Sequence, residues 1–189
     1  MKFIPKDAEF FILTWDESLP PSFENTCGYE LGDFDYMALN KGQPIGSLPA
    51  SVKLYVARHD AKLPDLVGNP YGWLIMSDRL YAHCHGLIGD SVEVFHAPIF
   101  SYDTRAELDG YHLVNITRTI SCIDWKRSGV NKINGTVVWC DPLFIDKSKV
   151  GKANIFRPTG YLAVQICSRS LITHIIRGKF TGLSTIRCF

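Results

Sequence analysis

Several signatures of enzymes are missing from this chain. There is no G-x-x-x-x-G-K-[ST] phosphate cradle, no G-x-G-x-x-G after a strand-like run and no C-x-x-C pair. Their absence removes the usual loops for nucleotides and dinucleotides and the usual spacing for a zinc ribbon or a thioredoxin-type redox pair. The nearest approach to a G-x-S-x-G nucleophile elbow, Gly182-Leu-Ser-Thr-Ile, lacks the second glycine. No apolar run approaches the roughly 20 residues that a membrane helix needs. At the N-terminus, Pro5, Lys6, Asp7 and Glu9 interrupt the segment before any h-region can form, so the expected location is the cytoplasm. A net charge of only +1 gives no global attraction to nucleic acid or to an anionic membrane.

Material for a core is plentiful. Apolar residues make up 46% and aromatics 12% of 189 residues, which suits one well-packed domain. The six cysteines are scattered, several inside apolar runs such as Val138-Trp-Cys. Buried reduced thiols are expected, not a disulfide framework. Charge is distributed unevenly: Asp7 to Asp35 holds eight acids and no base, and Lys147 to the end holds eight bases and no acid. The acidic, loop-rich residues 1–59 read as an N-terminal lobe or arm on a domain of residues 60–189, or as part of one continuous domain.

Periodicity supplies the elements. Glu9 to Trp15, Phe34 to Leu39 and Val52 to Ala57 read as strands, as do Tyr111 to Thr117, Thr136 to Trp139 and Leu143 to Ile145. The run WLIM (73–76) is followed by Ser77-Asp78, an N-cap and a first-turn acid. That predicts a short helix to about His85, ending near Gly86, and then a strand over 92–97. The same order recurs near the C-terminus: LAVQIC (162–167), the cap Ser168, a helix over 169–177, the stop Gly178 and a strand-like ending. Superposing Ser77 on Ser168 places Leu80 on Leu171 and His83 on His174. The fold class is therefore α+β, a sheet-rich single domain with two or three short helices. It contains a repeated strand–cap–helix–strand unit at about 72–98 and 161–188.

The most chemical-looking stretch is LYAHCHGLI (80–88), with His83, Cys84 and His85 in succession. On a helix, positions i and i+2 point about 200° apart, so the two imidazoles cannot share an ion. Cys84 falls four residues after Leu80, on the face to be buried. His83, like His174, falls at a helix end where an imidazole can meet backbone carbonyls. Carboxylate pairs such as Asp16-Glu17 sit in solvated loop context. The segment IDWKRS (123–128) is either a binding surface built on Trp125 and Arg127 or a corner at which Asp124 caps the turn around Ser128.

The order of motifs GWLIMSDRL (72–80), VEVFHAP (92–98), YHLVN (111–115), IDWKRS (123–128), LFIDKSKV (143–150), IFR (155–157), VQICSRSL (164–171) and FTGL (180–183) resembles a bacterial family. That family was formerly a domain of unknown function and is now assigned to immunity proteins of polymorphic toxin systems; the resemblance spans residues 60–189. It implies a protein that binds a cognate toxin and needs no cofactor and no reaction. It brings no catalytic residues, and the recurring Ser77, Asp124, Ser128, Arg157 and Gly182 read as framework. Candidate partner-binding residues are Trp15, Asp16, Glu17, Glu24, Asp33 and Asp35 of the acidic stretch, with Trp125 and Arg127. In the opposing reading the acidic stretch packs on the chain's own basic third. A small hydrolase or metal-dependent enzyme built on Cys84 and the histidines, and an oligomeric scaffold, are the alternatives from other classes. Neither a membrane nor nucleic acid is an expected partner.

Overall fold

A computed structural model describes residues 5, 7–20, 22–60 and 62–189. Two helices form where the sequence places a serine cap before an apolar face. Helix α1 (Asp78–Ile88) begins at Ser77, whose backbone is extended and whose Oγ accepts the Leu80 N–H at 3.2 Å. Leu80, Cys84 and Ile88, at i, i+4 and i+8, are its buried stripe. Helix α2 (Arg169–Arg177) begins at Ser168 in the same conformation, with Oγ accepting from Leu171 N–H at 3.2 Å. Its buried residues are Leu171, Ile172 and Ile175. Helix α1 runs two residues past the expected stop at Gly86, because Ile88 is buried while Gly86 lies on the exposed side.

Each helix follows the second strand of an antiparallel four-strand array, and the two arrays match in register. In the first, the order is Leu66–Val67, Leu74–Ser77, Tyr111–Ile116, Val92–His96. In the second it is Ile155–Pro158, Gln165–Ser168, Phe10–Trp15, Leu183–Arg187, with the short strand Thr119–Ile120 added in parallel at one edge. Leu66 faces Met76 as Ile155 faces Cys167. Ile75 faces Leu113 as Ile166 faces Ile12, and Leu113 faces Phe95 as Ile12 faces Ile186. The repeat therefore extends beyond strand–cap–helix–strand by two strands in each array. In the first unit the third strand of the array, Tyr111–Ile116, follows in the chain; in the second the third strand, Phe10–Trp15, is supplied by the N-terminus. The acidic beginning of the chain thus contributes a central strand of a sheet.

One side of each array and both helices share one core, containing Phe11, Leu13, Leu74, Met76, Leu80, Ile155, Cys167 and Leu171. A three-stranded sheet (Gly28–Glu30, Lys53–Val56, Ile99–Ser101) closes a second core with Leu54, Val56, Ile75, Ile99 and Leu113. A third gathers Cys122, Cys140, Leu143, Phe156, Tyr161 and Ile166 beneath a two-stranded hairpin (Val130–Ile133, Thr136–Cys140). The result is a sheet-rich α+β single domain. Two expected strands differ. Residues 34–39 form a turn and a 3-10 helix (Ala38–Asn40), because the Asp35 carboxylate accepts the Met37 N–H at 2.9 Å and favours a turn. Residues 143–145 contribute only the bridge Ile123↔Ile145. Among the described residues, no helix is long and apolar enough to cross a membrane.

The framework residues have identifiable roles. Gly182 has φ +81°, and an added Cβ would lie 2.4 Å from the Leu66 carbonyl oxygen. Arg157 is 1% exposed, and its guanidinium donates to Leu162 O (2.6 Å), Leu39 O (3.0 Å) and Asn40 Oδ1 (3.2 Å), tying the second unit to the 3-10 helix of the first half.

Candidate interaction surface

The histidine triplet belongs to the junction between the two units. His83 Nε2 donates to His174 O at 2.9 Å, and His174 Nε2 donates to His83 O at 2.8 Å. The rings stack with centroids 3.9 Å apart and planes within 16°. A carbonyl oxygen only accepts, so each Nε2 carries its proton and the pair is fixed as donors. His85 points elsewhere, edge-on to Tyr81. No group of three or more His, Cys, Asp or Glu side chains placed to hold a metal occurs among the described residues.

The buried thiols are poorly placed for nucleophilic work. Five of the six are buried, and Cys27 is exposed. Burial pushes Cys84 and Cys122 up to about 11 and Cys188 up to about 12, and Cys167 higher still. A nucleophilic cysteine needs the opposite displacement, produced by a nearby cation or helix N-terminus. These thiols act as small apolar side chains.

The predicted partner-binding residues separate into distinct settings. Trp15 is half-buried against the first core, and its ring edge leaves no room for a Cβ on Gly68. The Asp16 carboxylate accepts the N–H and hydroxyl of Ser18 at 3.1 and 2.7 Å, and Glu17 is exposed. Glu24 pairs with Arg58 at 2.9 Å. Asp35 pairs with Lys41 at 2.6 Å, and its carboxyl is held below the usual range by that ammonium and by the Met37 N–H. Asp7 and Glu9 reach the basic third, at Arg187 (2.7 Å) and Lys147 (2.9 Å). The acidic stretch is therefore pinned at several separate places. Asp33 is exposed, and Phe34, between it and Asp35 in the chain, packs edge-on against Trp73 of an aromatic group in which Tyr71 contacts Tyr29, Tyr36 and Trp73 at centroid distances of 4.9, 5.1 and 4.9 Å. Tyr29, Tyr36 and Met37 of this region are exposed.

The IDWKRS segment forms the expected corner. Asp124 Oδ1 accepts the N–H groups of Lys126 and Arg127, and its carbonyl accepts the Ser128 N–H. Ser128 Oγ in turn accepts from Phe144 N–H at 3.0 Å. The turn lifts Trp125 into solvent at 43% exposure and lays the Arg127 guanidinium over the Phe144 ring at 4.1 Å. Gly160 leaves room for the Trp125 ring, since a Cβ there would come within 2.8 Å of it. Directly after this corner rises the hairpin, turned by Asn134 (φ +50°) and Gly135 (φ +81°), a two-residue connection matched to strand twist. It exposes Ile133, Val138 and Trp139, the last at 57%. Sequence reading found a strand here but not the hairpin or its exposure; the signal for the hairpin was Asn134-Gly135. A family model described as immunity protein family (Imm11) matches residues 15–188 of the chain. No curated protein matches it.

Proposed function

The chain belongs to the immunity protein family (Imm11), and from that membership we propose that it binds and neutralises a cognate bacterial toxin by direct protein–protein contact. The match across residues 15–188 is the observation that carries this reading. The physical character of the molecule supports it. A stoichiometric inhibitor requires a stable scaffold that presents large side chains on fixed turns, and it needs no activated nucleophile. Trp125 seated over Gly160 and the tyrosine group around Tyr71 meet the first requirement. In this reading the protein works in the bacterial cytoplasm, within a polymorphic toxin system and without a cofactor.

The test is co-expression with the C-terminal domain of the toxin encoded beside this gene. The expected result is restored growth, a complex that survives gel filtration, and protection of the toxin's target that saturates at one immunity protein per toxin. Absence of binding at micromolar concentrations, with no protection, would overturn the proposal. Protection at far below equimolar amounts would instead indicate catalysis.

A further inference from the structure

The hairpin Val130–Ile133/Thr136–Cys140 stands apart from the other sheets: among the described residues its two strands pair only with each other. Its inward face is defined by Val130, Cys140 and Val137, which pack on the core beneath it. Val130 and Cys140 are cross-strand partners, so the next pair, Asn131 and Trp139, faces outward. Where the register shifts between Asn131 and Lys132, Val138 is left without a partner and is exposed. A bulge and an edge lysine are devices that discourage strand addition. What the ribbon offers a partner is therefore its outer side chains.

We infer that the outer face of this hairpin, with Trp139 and Val138 at its centre and Trp125 at its base, is the docking surface for an acidic face of the toxin domain. The inference rests on the immunity reading above. Two facts carry it. Large apolar side chains of the hairpin occupy exposed positions: Ile133, Val138 and Trp139 are 61%, 44% and 57% accessible, and Trp125 of the corner that precedes it is 43% accessible. Tryptophan is the residue most enriched at the energetic centres of interfaces. Secondly, Lys126, Arg127 and Lys132 are exposed along this stretch and, among the described residues, none of these side chains is paired with an acid. Of the acids at its two ends, Asp124 is engaged by the N–H groups of its own turn and Asp141 is exposed. Two copies of such a ribbon brought together would repel, whereas an acidic partner would be drawn in and oriented. Charge thus selects a different protein over a second copy of this chain.

The experiment measures binding of that toxin domain to the wild type, to Trp139→Ala, to a Lys126→Glu/Lys132→Glu double variant and to Tyr36→Ala on the tyrosine surface. Thermal melts confirm that each variant folds, as expected for exposed positions. Trp139→Ala is expected to weaken binding at least about tenfold. The charge-reversed variant should associate more slowly and lose most of the wild type's salt dependence; Tyr36→Ala should bind as wild type. Wild-type binding unchanged by Trp139→Ala and by charge reversal would overturn the docking surface and leave the immunity function standing. Weakening by Tyr36→Ala alone would assign contact to the acidic surface and also overturn it. A chain that is dimeric in light scattering, and monomeric as Trp139→Ala, would show a second copy seated there instead. Failure of the wild type itself to bind the domain would bring down both readings.

Discussion

Asp65 is the side chain whose removal should most clearly separate the two halves. It precedes the first strand of one unit and lies against the loop after the helix of the other. Its carboxylate accepts Ser77 Oγ at 2.7 Å, Arg79 Nε and Nη2 at 2.6 and 2.7 Å, and the N–H and hydroxyl of Thr181 at 2.7 and 2.9 Å. Only 7% of the side chain is accessible. Burial alone would push this carboxyl up, but the guanidinium and the converging N–H and hydroxyl donors outweigh it and hold it down to about 2. Between the ordinary value of 3.8 and about 2, the linkage is worth about 2.5 kcal/mol. Because the folded-state value is depressed, this contribution is complete above about pH 4 and is lost as pH falls through 3.8 towards 2. Asp65→Asn keeps the shape but puts an NH2 against either Thr181 or Arg79, both donors. The expected cost at pH 7 is about 2–3 kcal/mol, which lowers the melting temperature by roughly 5–10 °C for a chain of this size. Arg79→Met should cost under about 1 kcal/mol, since Arg79 is 58% exposed and solvent screens its charge. Melting curves followed by circular dichroism at pH 7, and then in steps down to pH 2.5, provide the assay. An Asp65→Asn variant that melts with the wild type at pH 7 would refute the reasoning. So would a difference between the two that persists undiminished at pH 2.5.

Three further outcomes are expected. Gly182→Ala combines a positive φ with a contact to the Leu66 carbonyl and should cost more than about 2 kcal/mol. Gly135→Ala, at the same φ with open space around it, should cost about 1 kcal/mol; equal urea midpoints for the two would discount the contact. Arg157→Met leaves Leu162 O, Leu39 O and Asn40 Oδ1 without their buried donor and should destabilise by about 3 kcal/mol in urea titration. A neutral result would mean that the lost bonds are offset by relief of the guanidinium's own desolvation, which lowers its pKa to about 10. Finally, Phe10–Trp15 completes the second unit from the far end of the chain, and Cys188 N–H bonds Phe10 O at 2.9 Å. A circular permutant opened at the exposed Ser18 and joined from Phe189 to Met1 should therefore melt cooperatively within a few degrees of the wild type in calorimetry. A molten or aggregated product would count against the equivalence of the two units.

Local chemistry carried much of the architecture. Ser77 and Ser168 fix where the helices start because a hydroxyl that can bond an N–H three residues on acts within one turn. The repeat that superposes His83 on His174 also accounts for their stacking, since two units of one design place their equivalent residues alike. The acidic stretch was legible as acid but not as surface. Its charges act at close range, and Arg58, Lys41, Arg187 and Lys147 reach them only after folding. At Asp35, the side chain's bond to its own backbone outcompeted the strand that Phe34 to Leu39 suggested.

Caps, turns and apolar periods are legible in the residue order because each depends on residues within a few positions of one another, and their recurrence in one order makes the repeated unit and the family legible too. The fold was needed to see that the N-terminus supplies a central strand of the second unit, and that a hairpin leaves its tryptophan 57% exposed. Whether an apolar side chain is buried depends on what the rest of the chain brings to cover it. The described residues leave more than half of Trp139 uncovered, and the same apolar alternation that predicts a strand cannot report that.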